Sequence, residues 1–148
     1  MAGPPSLSRH RPLPSGNEEA TTTLTLGDMT DVPTLSVSEC NELLHSLEKQ
    51  AEKQGSRATA SSDVYLKTRE YVGMFARFKD GKTTTQVDHI TLTLLEKGVG
   101  MFERAQLASL CPDTAEEAKT LVPSLEDKID DETLQAVLDE ISKLRDFS

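Results

Sequence analysis

With 148 residues, 36% of them hydrophobic, 4% aromatic and none Trp, the chain has one domain's worth of length but a thin stock of core-forming side chains. Its formal net charge of −9 is uneven: residues 101–148 hold 5 Lys or Arg against 12 Asp or Glu, which repels phosphate backbones and counts against that third gripping nucleic acid directly. No apolar run approaches the ~18 residues of a membrane span, and the amino terminus lacks the apolar stretch of a secretory leader. The expectation is a soluble, intracellular protein that gains cover from a partner. Cys40 and Cys111 stand 71 positions apart without CxxC spacing, so two reduced thiols acting as small hydrophobes are expected in place of a disulfide.

Residues 1–20 carry Pro4, Pro5, Pro12, Pro14, Gly3 and Gly16 with almost nothing apolar. Such a stretch cannot offset its ordering entropy and is predicted to be a disordered tail. Arg9, His10 and Arg11 could form a small basic recognition patch, but so short a run is better read as solvated tail. In the TTTLTL of residues 21–26, Leu24 and Leu26 alternate with Thr, the period of a strand. No second convincing strand follows, and a lone strand leaves its backbone groups unpaired. The segment is therefore either coil or an edge that completes another protein's sheet.

The first long helix is predicted from Ser36, placed for a capping box with Glu39 and a staple between Leu35 and Cys40. Val37, Cys40, Leu44, Leu47 and Ala51 form its apolar stripe with Leu43 beside them, and Gly55 supplies the stop. His45 borders that stripe and has no companion ligands. After the polar GSRATASS, a second helix carries Val64, Thr68, Tyr71, Phe75 and Phe78 on one face up to Asp80 and Gly81. Residues 57–82 are the one basic region, with Arg57, Lys67, Arg69, Arg77, Lys79 and Lys82 against three acids. Rings interleaved with cations can stack on single-stranded RNA, but helical spacing on one side favours core or interface rings with a solvated rim.

Thr83 and Gln86 suit a capping box for a third helix through Val87, Ile90, Leu94 and Leu95 to Gly98. ITLTL at residues 90–94 also fits a strand; the reach back to Val87 and the stops at both ends favour helix. The GVG of residues 98–100 is a loop. Beyond it, Phe102, Ala105, Leu107 and Leu110 suit a short helix before Pro112. A capping-box spacing from Asp113 to Glu116 opens another, with Ala115, Ala118, Leu121 and Val122 apolar, which Pro123 ends. The last helix is the clearest. Asp130 caps it, Ile129 and Leu134 staple it, and Leu134, Val137, Leu138, Ile141 and Leu144 make one stripe between acids at its start and Lys143 and Arg145 at its end.

FERAQLASL followed by CPDTAEEAKTLVPSLEDKIDDETLQ, with LKTREYVGMFARFKD at residues 66–80, resembles the family of fourth subunits of eukaryotic RNA polymerase II, which has a related counterpart in archaeal RNA polymerase. The likeness covers Ser36 to Phe147; the proline-rich front and the connection from Gly98 to Gly100 depart from the pattern. It implies carboxy-terminal helices like the domain shared by helicases and RNase D (HRDC-like). It also implies a nuclear protein that shuttles to the cytoplasm, and a tight heterodimer with the seventh subunit. That pair would be docked as a stalk on core RNA polymerase II, supporting initiation and meeting nascent RNA mainly through the partner.

Chemistry of its own is not expected. His10, His45 and His89 fall in a tail and on two helices, and no nucleophile, metal set or cofactor cradle is legible. Glu126, Asp127, Asp130, Asp131 and Glu132 lack the order and the Gly of a calcium loop. The fold expected is all-α, a bundle of short helices behind an extended, β-pairing arm. Its parts are a tail at residues 1–20, an arm at 21–35, a helical partner-binding region at 36–100 and an HRDC-like domain at 101–148. The partner-binding residues are Leu24 and Leu26 on the arm and Leu44, Leu47, Tyr71, Phe75 and Phe78 on the first two helices; no catalytic, cofactor or metal residue is assigned. The alternative is a helical nucleic-acid-binding module acting through the basic second helix.

Overall fold

The computed structural model describes residues 16–55 and 62–146; the tail before Gly16 and most of the GSRATASS connection, with Arg9, His10, Arg11 and Arg57, lie outside them. Helix starts are set by side-chain oxygens that accept the orphan amides of a first turn. Ser36 opens α1 (Val37–Lys53): its Oγ accepts the Glu39 amide at 3.2 Å while Glu39 Oε2 accepts the Ser36 amide at 2.7 Å. Gly55, at φ 66, follows its end in the left-handed conformation that a side chain would oppose. The last helix, α6 (Asp131–Asp146), begins as expected, with Asp130 accepting the Thr133 amide at 2.8 Å.

Between them lie α2 (Asp63–Phe75), α3 (Gly81–Leu92), α4 (Met101–Leu110) and α5 (Ala115–Leu121), with 3₁₀ turns at Thr93–Lys97 and Pro123–Leu125. Four boundaries differ from the sequence expectation: the third helix, expected to run to Gly98, ends at Leu92 and goes on as a 3₁₀ turn, and three others shift as follows. The third helix starts at Gly81 because Asp80, not Thr83, is its cap: the carboxylate accepts both the amide and the hydroxyl of Thr83 at 3.2 Å. α5 is capped one residue late, by Thr114, whose Oγ1 accepts the Glu117 amide at 3.1 Å. Asp113 instead gives its amide to Glu117 and holds Arg145 with its carboxylate. α2 stops at Phe75, five residues before Asp80, because Ala76 turns extended (ψ 121).

The arm also has more order than expected. β1 (Glu19–Ala20) pairs antiparallel with β2 (Leu24–Thr25) in the register Glu19↔Thr25 and Ala20↔Leu24. The strand expected to be alone thus has a partner in residues assigned to the tail. Both strands are only two residues long, and the arm then turns through a 3₁₀ segment at Gly27–Met29.

The core runs from Phe78, Val87, Leu94 and Val99 through Leu107 and Leu125 to Leu134, Leu138 and Ile141, all buried. It draws on residues from both sides of position 100, with α3 packed on α6 and α5 on α6. Among the described residues one carboxylate is fully buried with it. Glu103 is 0% exposed, and its carboxylate accepts from the Gly100 amide at the start of α4, from the Ser124 hydroxyl, and from Lys128 Nζ at 2.8 and 2.9 Å. One side chain therefore ties α4 to the turn after α5. A carboxylate so placed is tolerable only with its counter-charge, since breaking a buried pair from one side costs about 3–5 kcal/mol. Urea unfolding of Lys128→Met should show a loss of about that size, and adding Glu103→Gln on the same background should restore most of it.

Candidate partner-binding surface

The seven residues singled out on the sequence fall in three places. Leu24 is half-buried and, with Phe102, Gln106 and Leu121, bounds a small depression where the hairpin meets α4 and α5. Leu26, also half-buried, lines a groove of about 640 Å³ with Met29, Val32, Leu35 and Phe102. On α1, Leu44 is half-buried and Leu47 exposed; on α2, Tyr71 and Phe75 stand 56% and 53% exposed. Their rings meet at 4.7 Å with planes tilted by 37°, a pair that excludes water between its members while leaving the outer faces wet.

Phe78 does not belong with them. Once Ala76 ends the helical rotation, the chain turns Phe78 inward, where it is 1% exposed and its amide donates to Ser38 Oγ at 3.1 Å. A ring buried in this chain's own core has no face left for another protein. Its place on the surface is taken by Val64 and Met74, 75% and 66% exposed. Met29, Val32 and Leu35 were likewise not singled out, yet a signal exists: with Leu26 they recur every third residue, a period that a search for 3.6 or 2 passes over.

α2 is fastened to α1 by a polar clamp. Glu48 Oε1 accepts from the Tyr65 hydroxyl at 3.0 Å and from Arg69 Nε. The hydrogen bond from Arg69 holds the Glu48 carboxyl below its ordinary range, against desolvation, which pushes the other way. Desolvation first, then Glu48, pushes the Tyr65 hydroxyl up. Of the basic residues that the nucleic-acid alternative would use, Arg69 is thus engaged in the clamp, and Lys79 folds back to donate to the Gly73 carbonyl.

Among the described residues no group of three or more His, Cys, Asp or Glu is placed to hold a metal. Both cysteines are free, and burial raises the Cys111 thiol to about 11, far from a thiolate at neutral pH. No helix of the described residues is long and apolar enough to cross a membrane.

A family model described as RNA polymerase Rpb4 matches residues 34–145. The chain belongs to the RNA polymerase Rpb4 family. It is 43% identical over 113 residues to DNA-directed RNA polymerase II subunit rpb4 of Schizosaccharomyces pombe, covering 76% of this chain and 81% of that one. Against subunit rpb4 of Dictyostelium discoideum it is 41% identical over 85 residues, 57% of this chain and 52% of the relative. Against subunit RPB4 of Saccharomyces cerevisiae it is 44% identical over 89 residues, 60% of this chain and only 39% of the relative. The Rpb4 match takes in α1 to α6 and leaves the hairpin and the start of the groove before it.

Phe78→Ala should lower the stability of the isolated chain by about 3–5 kcal/mol in urea, whereas Phe75→Ala should change it by no more than about 0.5 kcal/mol. Because the Glu48 carboxyl is depressed in the folded state, the clamp's contribution is present above the ordinary carboxylate range and is lost as pH falls through the lowered value. Protection of the α2 amides, taken relative to the intrinsic exchange rate at each pH, should fall on that descent, and Glu48→Gln should remove this part of the acid dependence.

Proposed function

We propose that the chain is a non-catalytic subunit of RNA polymerase II, paired with the seventh subunit as a stalk on the core enzyme in the nucleus. In that place it supports initiation, and nascent RNA is handled mainly by the partner. Within it, residues 101–148 act as the HRDC-like module and residues 21–100 as the partner-binding part. The observation that carries the reading is the exposed Tyr71–Phe75 pair on a helix with Val64 and Met74 also uncovered, in a chain of the Rpb4 family. Large rings on the outside of a helix are the usual anchors of a protein interface, and obligate interfaces commonly bury more than about 2,000 Å². Leu24 and Leu26 extend the same role to the arm, and Leu44 and Leu47 to α1. The nucleic-acid alternative loses Arg69 to the clamp and Phe78 to the core.

Co-expression with the seventh subunit should yield a 1:1 complex on size exclusion. With partner at about a thousand times Kd, binding contributes about 4 kcal/mol and should raise the melting temperature by on the order of 10 °C for a chain of this size. Tyr71→Ala with Phe75→Ala should weaken the complex by about thirtyfold or more. Equal melting temperatures alone and together would refute the proposal. A steep salt dependence of RNA binding by the isolated chain, reduced by Arg77→Ala with Lys79→Ala, would favour the alternative.

A further inference from the structure

The outer side of α2 is a continuous seam. Val64, Lys67, Thr68, Tyr71, Met74 and Phe75 are all exposed, and steps of three and four residues bring them onto one side of the helix, the spacing by which one helix packs on another. The opposite side is held against α1 by Tyr65 and Arg69 on Glu48, and Val72 is buried. Four large apolar side chains with a cation among them thus stand in water on a helix whose other face is already occupied.

Charge selects what can lie there. Residues 63–82 hold five Lys or Arg against three Asp or Glu, so the acidity of the whole chain, −9 in formal charge, does not fall on this surface. Asp63 and Glu70 stand at the start and middle of α2, Lys67 between them and Arg77 just past its end, all exposed, and no ion pair among the described residues engages any of the four. A nucleic acid on the seam would set phosphates beside Asp63 and Glu70. A helix with the same charges in the reverse direction would meet opposite signs along its length.

We infer that α2 pairs antiparallel with α2 of a second copy of the chain wherever no other protein covers it. One register satisfies the whole seam about a two-fold axis: Val64 packs on Met74 of the other copy and Lys67 lies on the Tyr71 ring of the other copy, each contact made twice. The same register brings Glu70 beside Lys67 of the other copy and Asp63 to the end where Arg77 stands. Parallel pairing would instead set Lys67 on Lys67 and align the two helix dipoles. A single helix of 13 residues offers much less than the ~800 Å² per partner of a standard interface, so the pair is weak and dissociates on dilution. This goes beyond the heterodimer reading: it gives the chain a form of its own before the seventh subunit arrives.

Sedimentation equilibrium of the full chain should give the monomer mass at micromolar concentration and approach the dimer mass in the millimolar range. Lys67→Glu, which sets a carboxylate against the ring and against Glu70 of the other copy, should weaken the pair severalfold, and Lys67→Arg should preserve it. The register is read by disulfide trapping in a chain carrying Cys40→Ser. Val64→Cys mixed with Met74→Cys should give a cross-linked dimer under mild oxidation, whereas either variant alone holds its two sulfurs about 15 Å apart and should give none. A monomer mass at every concentration, a dimer that Lys67→Glu leaves unchanged, or cross-linking of either variant alone as readily as of the mixture overturns the inference. Because no seventh subunit enters these measurements, their failure is separate from failure of the heterodimer to form.

Discussion

The structure depends on one turn. When α2 ends at Phe75 and Ala76 goes extended, Phe78 is carried into the core and its amide is received by Ser38 of α1. Full burial of a Phe ring contributes about 1.5–3 kcal/mol, and here it joins the hairpin of α1 and α2 to the helices behind it. The same turn decides which rings stay outside. Tyr71 and Phe75 precede it and remain wet; Phe78 follows it and is dry. Had the helical rotation continued to Asp80, all three rings would share one stripe.

This explains where the sequence was legible and where it was not. Helix starts with a side-chain cap and an apolar stripe, at Ser36 and Asp130, were readable because local hydrogen bonding and burial agree there. The end of α2 was not, because no Gly or Pro marks it: Ala76 leaves the helix for the sake of Phe78, a tertiary effect invisible to local pattern. At α5 two neighbouring residues, Asp113 and Thr114, both offer a cap, and the choice falls on Thr114 because the Asp113 carboxylate is turned to Arg145, 32 positions away. The β1 partner of Leu24 was hidden by its surroundings, since two residues, Glu19 and Ala20, carry no period at all. Of the surface, the ring pair was foreseeable and the groove was not, because its threefold spacing belongs to neither regular structure.

Charge is arranged in layers along the chain. An arm without cations comes first, then a middle whose basic residues are partly engaged with nearby oxygens, then an acidic bundle. Inside that bundle the one fully buried carboxylate among the described residues, Glu103, is matched by Lys128 and two neutral donors, so the acidity is a property of the exterior. On the proposed reading the chain meets its partner through uncovered apolar features, of which those on the arm stand among carboxylates, a charge that disfavours wrong partners more than it tightens the right one.

The absence of Lys and Arg between Arg11 and Lys49 also decides how the arm responds to proteases. Trypsin has no bond to cleave from the hairpin to the late part of α1, so that whole length leaves a digest in one piece whether or not anything shelters it. A glutamate-specific protease meets the exposed Glu18 and Glu19 at once. The two enzymes together thus separate what the arm's composition forbids from what an occupant shields.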